Sequence, residues 1–126
     1  MTNTKLLPRD DFRQQVFLRD NHTCVICKKP GVDAHHIVER RLWNDGGYYL
    51  DNGATLCALC HIEAETTEIS CDSIRAAAGI QKRHYPDQYY TDDEIDKWGN
   101  VVLPNGQRLK GELFQDASVQ KVLAMG

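Results

Sequence analysis

Five short stretches of this sequence hold residue types that bind metal or move protons. They are Cys24-Val-Ile-Cys27, Asp33-Ala-His35-His36, Asn52, Cys57-Ala-Leu-Cys60 and, directly after it, His61. Two residues between cysteines let both sulfurs of one turn reach a single ion. Two such turns complete a tetrahedron at Zn–S distances of about 2.3 Å. The spacing predicts one structural zinc on Cys24, Cys27, Cys57 and Cys60, with no coordination position left open. By spacing alone His61 could replace one of the four sulfurs. Zinc at such a knot is worth on the order of 10–16 kcal/mol at neutral pH, enough to dominate the stability of a small chain. Disulfides are the competing use. The cysteine count is five, an odd number, and Met1 to Pro8 holds no apolar stretch of a secretion signal, so the reading expects a reduced, cytoplasmic protein. The leftover Cys71 reads as a small buried apolar residue.

The knot has a consequence for the histidines. Tying Cys27 to Cys57 closes a loop that carries His35, His36 and Asn52, and His61 follows the last sulfur. Imidazoles collected in one place serve either a second metal or acid–base chemistry.

The run Cys24-x-x-Cys27, then Asp33-Ala-His-His-Ile37, then Asn52-Gly-Ala-Thr-Leu-Cys57-x-x-Cys60-His61 resembles the HNH endonuclease family in its zinc-stapled form. The likeness covers about residues 10–65. It implies a β-hairpin followed by a helix around one divalent cation, the ββα-metal fold. It implies that His35 and His61 ligate a catalytic Mg²⁺ or Mn²⁺, that His36 is the general base, and that Asn52 steadies the loop and the base. It also implies DNA as partner, cut to leave a 5′-phosphate and a 3′-hydroxyl. The chemistry is consistent. An ordinary imidazole titrates near 6.5, so a neutral His36 can take a proton from water. Adjacent strand residues face opposite ways, so His35 and His36 are free for separate jobs. Asp33 shares a face with His35 and is a candidate to orient its ring. Some relatives place a second ligating histidine four residues after the first. Here that position is Glu65, either an oxygen ligand that favours Mg²⁺ or Mn²⁺, or a solvated helix glutamate.

The elements that must position these residues follow from composition and pattern. The chain has 126 residues, 41% of them apolar and 26% charged. That excludes a disordered acidic chain or a fibrous repeat. No apolar run is long enough to cross a membrane. A helix is expected over residues 10–19, with Phe12, Val16 and Phe17 on one face. Strands are expected at 32–38 and 53–57, a loop at 39–50 between them, and a helix from His61 to about Glu65. Gly79 stops a further helix at 72–78. Thr91-Asp-Asp-Glu94 has the form of a capping box, opening a helix that buries Ile95 and Trp98 and ends at Gly99. Residues 101–109 suit a hairpin around Pro104-Asn105-Gly106, and Asp116 caps a last helix with Val119, Val122 and Leu123 on one face. The fold expected is α+β: a small ββα-metal core stapled by the four-cysteine zinc, with an N-terminal helix and a C-terminal helical and hairpin wrap. It is read as a single domain over 1–126, its motif core at about 10–70 and its extension at 71–126.

The net charge of -3 does not announce a nucleic-acid binder. Residues 1–50 hold eight Lys/Arg against six Asp/Glu, and residues 51–126 hold seven against twelve. Any DNA surface must therefore be local. Candidates are Arg40 and Arg41 with Trp43 on the loop after the double histidine, and Lys28 and Lys29 on the zinc turn. A third group is Arg75, Lys82, Arg83 and His84 with Tyr85, Tyr89 and Tyr90. The cations would neutralise phosphates and the aromatics would stack. Solvated charges and core tyrosines are the alternative, above all for the last group. No long recognition helix is visible, so little sequence preference is expected. The function expected is metal-dependent DNA cleavage, as single nicks or double-strand cuts. The rivals are a non-catalytic zinc module that binds nucleic acid or protein, and a nuclease for RNA or for particular structures. A binding module needs only the four cysteines, so His35, His36 and His61 favour an enzyme. Monomer and homodimer are equally compatible with the pattern.

Overall fold

The computed structural model describes residues 5–86, 89, 94–103, 105, 107–109, 113 and 116–123. Helix α1 spans Arg9–Arg19, with Asp10 and Asp11 in its first turn, where the helix dipole favours carboxylates. Phe12 and Val16, one turn apart, form its buried face. Strand β1, Asp33–His36, pairs antiparallel with β2, Gly53–Leu56, so that Asp33 faces Leu56 and His36 faces Gly53. Helix α2, Ala58–Glu65, follows β2 at once. Hairpin and helix are thus in the expected order.

Helix α1 lies against the hairpin because the hairpin leaves room for it. A Cβ on Gly53 would stand 2.6 Å from Phe12 Cζ and 2.7 Å from Val16 Cγ2, so only glycine fits. At the other end of α1, Arg19 donates to the Leu50 carbonyl (2.8 Å) and the Gly53 carbonyl (2.7 Å). Its neighbour Asp20 accepts the Thr55 N–H at 2.9 Å. Strand β1 is shorter than 32–38. The Ile37 N–H turns to the Asn52 carbonyl (2.9 Å) and the Val38 N–H to Asn52 Oδ1 (2.9 Å), so the chain leaves the ladder to wrap around one side chain. The following loop is partly regular, with 3₁₀ turns at Arg40–Leu42 and Leu50–Asn52.

Helix α3, Cys71–Ala78, is capped by the Ser70 hydroxyl, which accepts the Ser73 N–H at 3.0 Å, and is stopped by Gly79 at φ 76°. It seals the apolar core that Cys24, Ile37, Leu56, Cys60 and Ile74 share. Beyond it one expectation is overturned. Glu94–Ile95 is not helical; it is strand β3, paired with β4, Val101–Val102, which pairs in turn with β5, Arg108–Leu109. Thr91 to Asp93 lie outside the described residues, as do Tyr90, Pro104 and Gly106. The capping pattern loses to tertiary pairing, because the Asp96 carboxylate accepts the N–H groups of Trp98 (2.9 Å) and Asn100 (3.0 Å) and so builds a turn where a helix would run. Ile95 and Trp98 are buried as expected, and Gly99 takes φ 85°. The 101–109 hairpin is present. Helix α4, Ala117–Leu123, starts at Asp116, whose carboxylate accepts from the Ser118 N–H at 2.9 Å. Its Val119 is buried, while Val122 and Leu123 are half-buried. A second core joins the loop after β1 to the new sheet through Val38, Leu42, Trp43 and Ile95. Among the described residues there are four helices and two small sheets, a mixed α+β arrangement. None of those helices is long and apolar enough to cross a membrane.

Candidate active site and metal centres

The four cysteines converge from two tight turns. In the first, the Cys24 N–H donates to the Lys29 carbonyl (2.8 Å) and the Lys28 N–H to the Cys24 carbonyl (3.0 Å), with Lys28 at φ 69°. In the second, Cys57 is the N-cap of α2, and its sulfur accepts the Cys60 N–H at 3.4 Å. Cys24, Cys27, Cys57 and Cys60 bring one sulfur each to within 4.8 Å of one another. Cys27 and Cys57, from different turns, stand 3.5 Å apart, sulfur to sulfur. That is too far for a disulfide, at about 2.05 Å. It is close to the roughly 3.8 Å edge of a tetrahedron with metal–sulfur bonds of about 2.3 Å. The donor set fits a tetrahedral, thiophilic ion and leaves it no open position. Cys71 takes no part. It is buried, its thiol reaches the Ile37 carbonyl at 3.5 Å, and burial pushes its pKa up to about 12.

The second cluster sits at the other end of the same helix. His61 and Glu65, one turn apart on α2, meet His35 of β1, and the three offer ligand atoms within 4.8 Å of one another. The Nδ1 atoms of His35 and His61 are 3.1 Å apart. Two ligand atoms at right angles on one ion, at about 2.1 Å each, would be about 3.0 Å apart. The Glu65 carboxylate lies 3.4 Å from His61 Nε2, the nitrogen turned away from His35. It can hold the His61 ring as an outer partner or swing to the ion itself. The solvated glutamate of the sequence reading is therefore not what the structure has. Asp33 does not orient His35: one ring nitrogen faces His61 and the other, Nε2, is buried with no hydrogen-bond partner among the described residues. Burial, and after it the positive charge of Lys97, holds the His35 pKa well below its ordinary 6.5.

His36 points away from His35, as strand alternation requires, yet both line one cleft of about 400 Å³. Its ring stacks on Phe12 (centroids 4.8 Å apart) and meets Tyr48 edge-on. The Gly46 carbonyl accepts a hydrogen bond from the ring, while Nε2 has no hydrogen-bond partner among the described residues. Burial first, and Lys97 second, brings its pKa down to about 4, so it is a neutral imidazole at physiological pH. Asn52 is fully buried, and its side-chain hydrogen bonds go to backbone groups and not to these rings. It accepts the Val38 N–H and donates to the carbonyls of Val38 and Gly47 (3.2 Å each), which pins both ends of the loop behind His36.

The expected DNA contacts separate. Arg40 lines the cleft. Arg41 turns away to Asp116 (3.3 Å) and Glu39 (3.9 Å). Lys28 folds onto its own turn, Nζ to the Val25 carbonyl at 3.1 Å, while Lys29 and Lys82 are exposed. Arg75 is 3% exposed, paired with Asp72 at 2.9 Å and placed against the Tyr85 ring, and Arg83 closes on the same Asp72 at 2.6 Å. Trp43 is buried, with its N–H on the Val38 carbonyl at 3.3 Å, so it is core and not a stacking platform. His84 packs on Trp43 and Tyr49. Tyr85 and Tyr89 pack against the second core.

Three cations that the sequence reading passed over line the cleft: Arg9 and Arg13 of α1, and Lys97. The two arginines had a signal, since they lie four residues apart on a helix whose Phe12 faces His36. Lys97 had none, because only the pairing of β3 with β4 brings it there.

No curated protein and no solved structure matches the chain. Residues 24–66, which supply both clusters and the double histidine, match the family model of the HNH endonucleases.

Proposed function

We propose that the chain is a metal-dependent endonuclease that hydrolyses phosphodiester bonds of DNA. The observation that carries this is the shared cleft, in which a three-residue metal-type cluster and a neutral, half-sheltered imidazole face the same space. The reading assigns zinc to the four cysteines, as a staple only. It assigns a catalytic Mg²⁺ or Mn²⁺ to His35 and His61, with Glu65 beside them. When bound, that cation supplies positive charge to the phosphate and to the departing 3′ oxygen.

The remaining steps belong to the chain. Arg9, Arg13 and Arg40 line the approach and neutralise phosphates on either side of the bond to be cut. His36, held by Phe12 and the Gly46 carbonyl, takes a proton from a water molecule. The water oxygen bonds to phosphorus as the bond to the 3′ oxygen breaks, and the 3′ oxygen ends as a hydroxyl with a proton from solvent. A phosphate beside His36 favours the protonated ring, which raises its proton affinity at the step that needs it. Asn52 keeps the loop behind His36 in one shape. The products are a 5′-phosphate and a 3′-hydroxyl.

The test is supercoiled plasmid incubated with the zinc-loaded chain, with and without Mg²⁺ or Mn²⁺. Relaxed circles indicate nicking and linear product indicates paired cuts. Intact plasmid under all metal conditions, with structured RNA also left uncut, overturns the reading.

A further inference from the structure

Lys97 lies outside the matched segment, on the turn between β3 and β4, yet it lines the cleft beside His36 and Glu65. It is 4% exposed. A buried ammonium is unfavourable unless its donors are used, and these are. Nζ donates to the His36 carbonyl at 2.8 Å, stands 3.7 Å from Glu65 Oε1, and lies over the Trp98 ring at 5.2 Å. The turn behind it is built for this placement. The Asp96 carboxylate gathers Trp98, Asn100 and Arg108, and the Lys97 carbonyl accepts the Glu39 N–H at 2.9 Å. Side chain and backbone of Lys97 therefore grip both ends of the short segment from His36 to Glu39. Trp98 adds a third tie, its indole N–H donating to the Glu65 carbonyl at 2.7 Å.

We propose that Lys97 is a positioning residue of the active site. It fixes the His36 backbone and the Glu65 carboxylate, and its charge sets how tightly the histidine–glutamate cluster takes a divalent cation before substrate arrives. The inference rests on the assignment of that cluster to a cation. Its two effects have opposite signs. Without nucleic acid, the ammonium competes for Glu65 and repels a dication. With a phosphate in the cleft, both positive charges attract the same anion, and Lys97 supports turnover.

The experiment is a Mn²⁺ titration of the zinc-loaded full chain, read by electron paramagnetic resonance without nucleic acid, with cleavage kinetics alongside. Lys97→Gln keeps a donor for the His36 carbonyl and removes the charge. It should bind Mn²⁺ at least about 10-fold more tightly, the effect of a unit charge several ångströms from a dication even with water-like screening. Its kcat should fall about 10–100-fold, the range for groups that support a metal site. Lys97→Arg should hold Mn²⁺ affinity near wild type, and melting curves establish that each variant is folded. A purely structural lysine gives the reverse sign, with weaker Mn²⁺ binding in Lys97→Gln; that result, or an unchanged affinity, overturns the inference. If Lys97→Gln does not fold, Lys97→Arg decides alone, and a loss of its Mn²⁺ affinity overturns the inference. Wild-type protein with no Mn²⁺ site sensitive to His61→Ala overturns the assignment of the cluster instead.

Discussion

Helix α2 serves two clusters of opposite character. Its N-terminal turn holds Cys57 and Cys60, whose sulfurs meet those of Cys24 and Cys27 in a set that would enclose a tetrahedral ion on all sides. Directly after Cys60, the same helix presents His61 and, one turn on, Glu65 to His35, and these face an open cleft. The first arrangement resists exchange, because four thiolates leave nowhere for water or substrate to enter. The second offers two imidazole nitrogens and one carboxylate, an open set of the kind that a phosphate would complete around a hard cation. The lesson is that rigidity and reactivity need not be shared evenly within a small motif. One end of a two-turn helix is anchored so that the other can stay open.

This contrast can be broken at either end. The largest effect should come from the sulfur side. Cys57→Ser, or chelation of zinc, should abolish the thermal unfolding transition, since on the order of 10–16 kcal/mol of folding energy resides at such sites. Circular dichroism with metal analysis measures this, and a cooperative melt in the zinc-free protein would show that the apolar cores suffice. Next in size is His36→Ala, which should slow cleavage about 10²–10⁴-fold with zinc content and melting unchanged. The base also carries a pH signature. Its ordinary pKa of 6.5 is lowered to about 4 by burial and Lys97, so the ring stays neutral as pH falls through 6.5 and protonates only near 4. The acid limb of kcat/KM should lie near that lower value, and a limb at 6.5 would mean that His36 is more solvated than its packing on Phe12 indicates. His61→Ala and Glu65→Gln should each raise the Mg²⁺ concentration for half-maximal cleavage by about 10–100-fold. Curves that overlay wild type would remove them from the metal site.

Two smaller effects sharpen the comparison. Arg9 and Arg13 are exposed on the cleft wall, whereas Arg41 is paired with Asp116. Replacing Arg9 and Arg13 with alanine should lower the slope of log K against log salt by about two, with loss of two phosphate contacts. Replacing Arg41 should change the slope less, and the reverse ranking would move the DNA track to the other side of the loop. Smallest is the effect at Cys71, the sulfur outside the cluster. Burial raises its pKa from 9.0 to about 12, so its contribution to stability is complete below pH 9 and is lost as pH rises toward 12. In the folded, zinc-loaded chain it should resist alkylation, and fast labelling by iodoacetamide at pH 8 would show that the α3 side of the core opens readily.

Much of the site was legible in the sequence, because the two Cys-x-x-Cys turns restrict where the histidines between and after them can lie. The double histidine on a strand and the helix with His61 and Glu65 follow from short-range pattern; Asn52 entered through the family resemblance, and its burial comes from the fold. What was not legible depended on distant pairing. Thr91 to Glu94 has the local form of a helix start, yet Glu94 and Ile95 join a sheet because Val101 and Val102 offer a partner and Asp96 builds the turn. With that sheet came Lys97, at a sequence distance no local rule spans. The basic candidates from α3 onward look different in the fold for a related reason. Arg75 and Arg83 look like a phosphate track until the fold brings Asp72 to both.

Asn52 carries a further consequence. Its amide closes the loop from Val38 to Gly47 by hydrogen bonds to both ends, in the interior, before any nucleic acid is present. The loss of disorder in that segment is then a cost of folding and not of encounter. A polyanion arriving at the cleft meets a surface already set in its working shape, so association should proceed as a collision of rigid bodies, and the temperature dependence of cleavage should report bond breaking and not the closing of a gate.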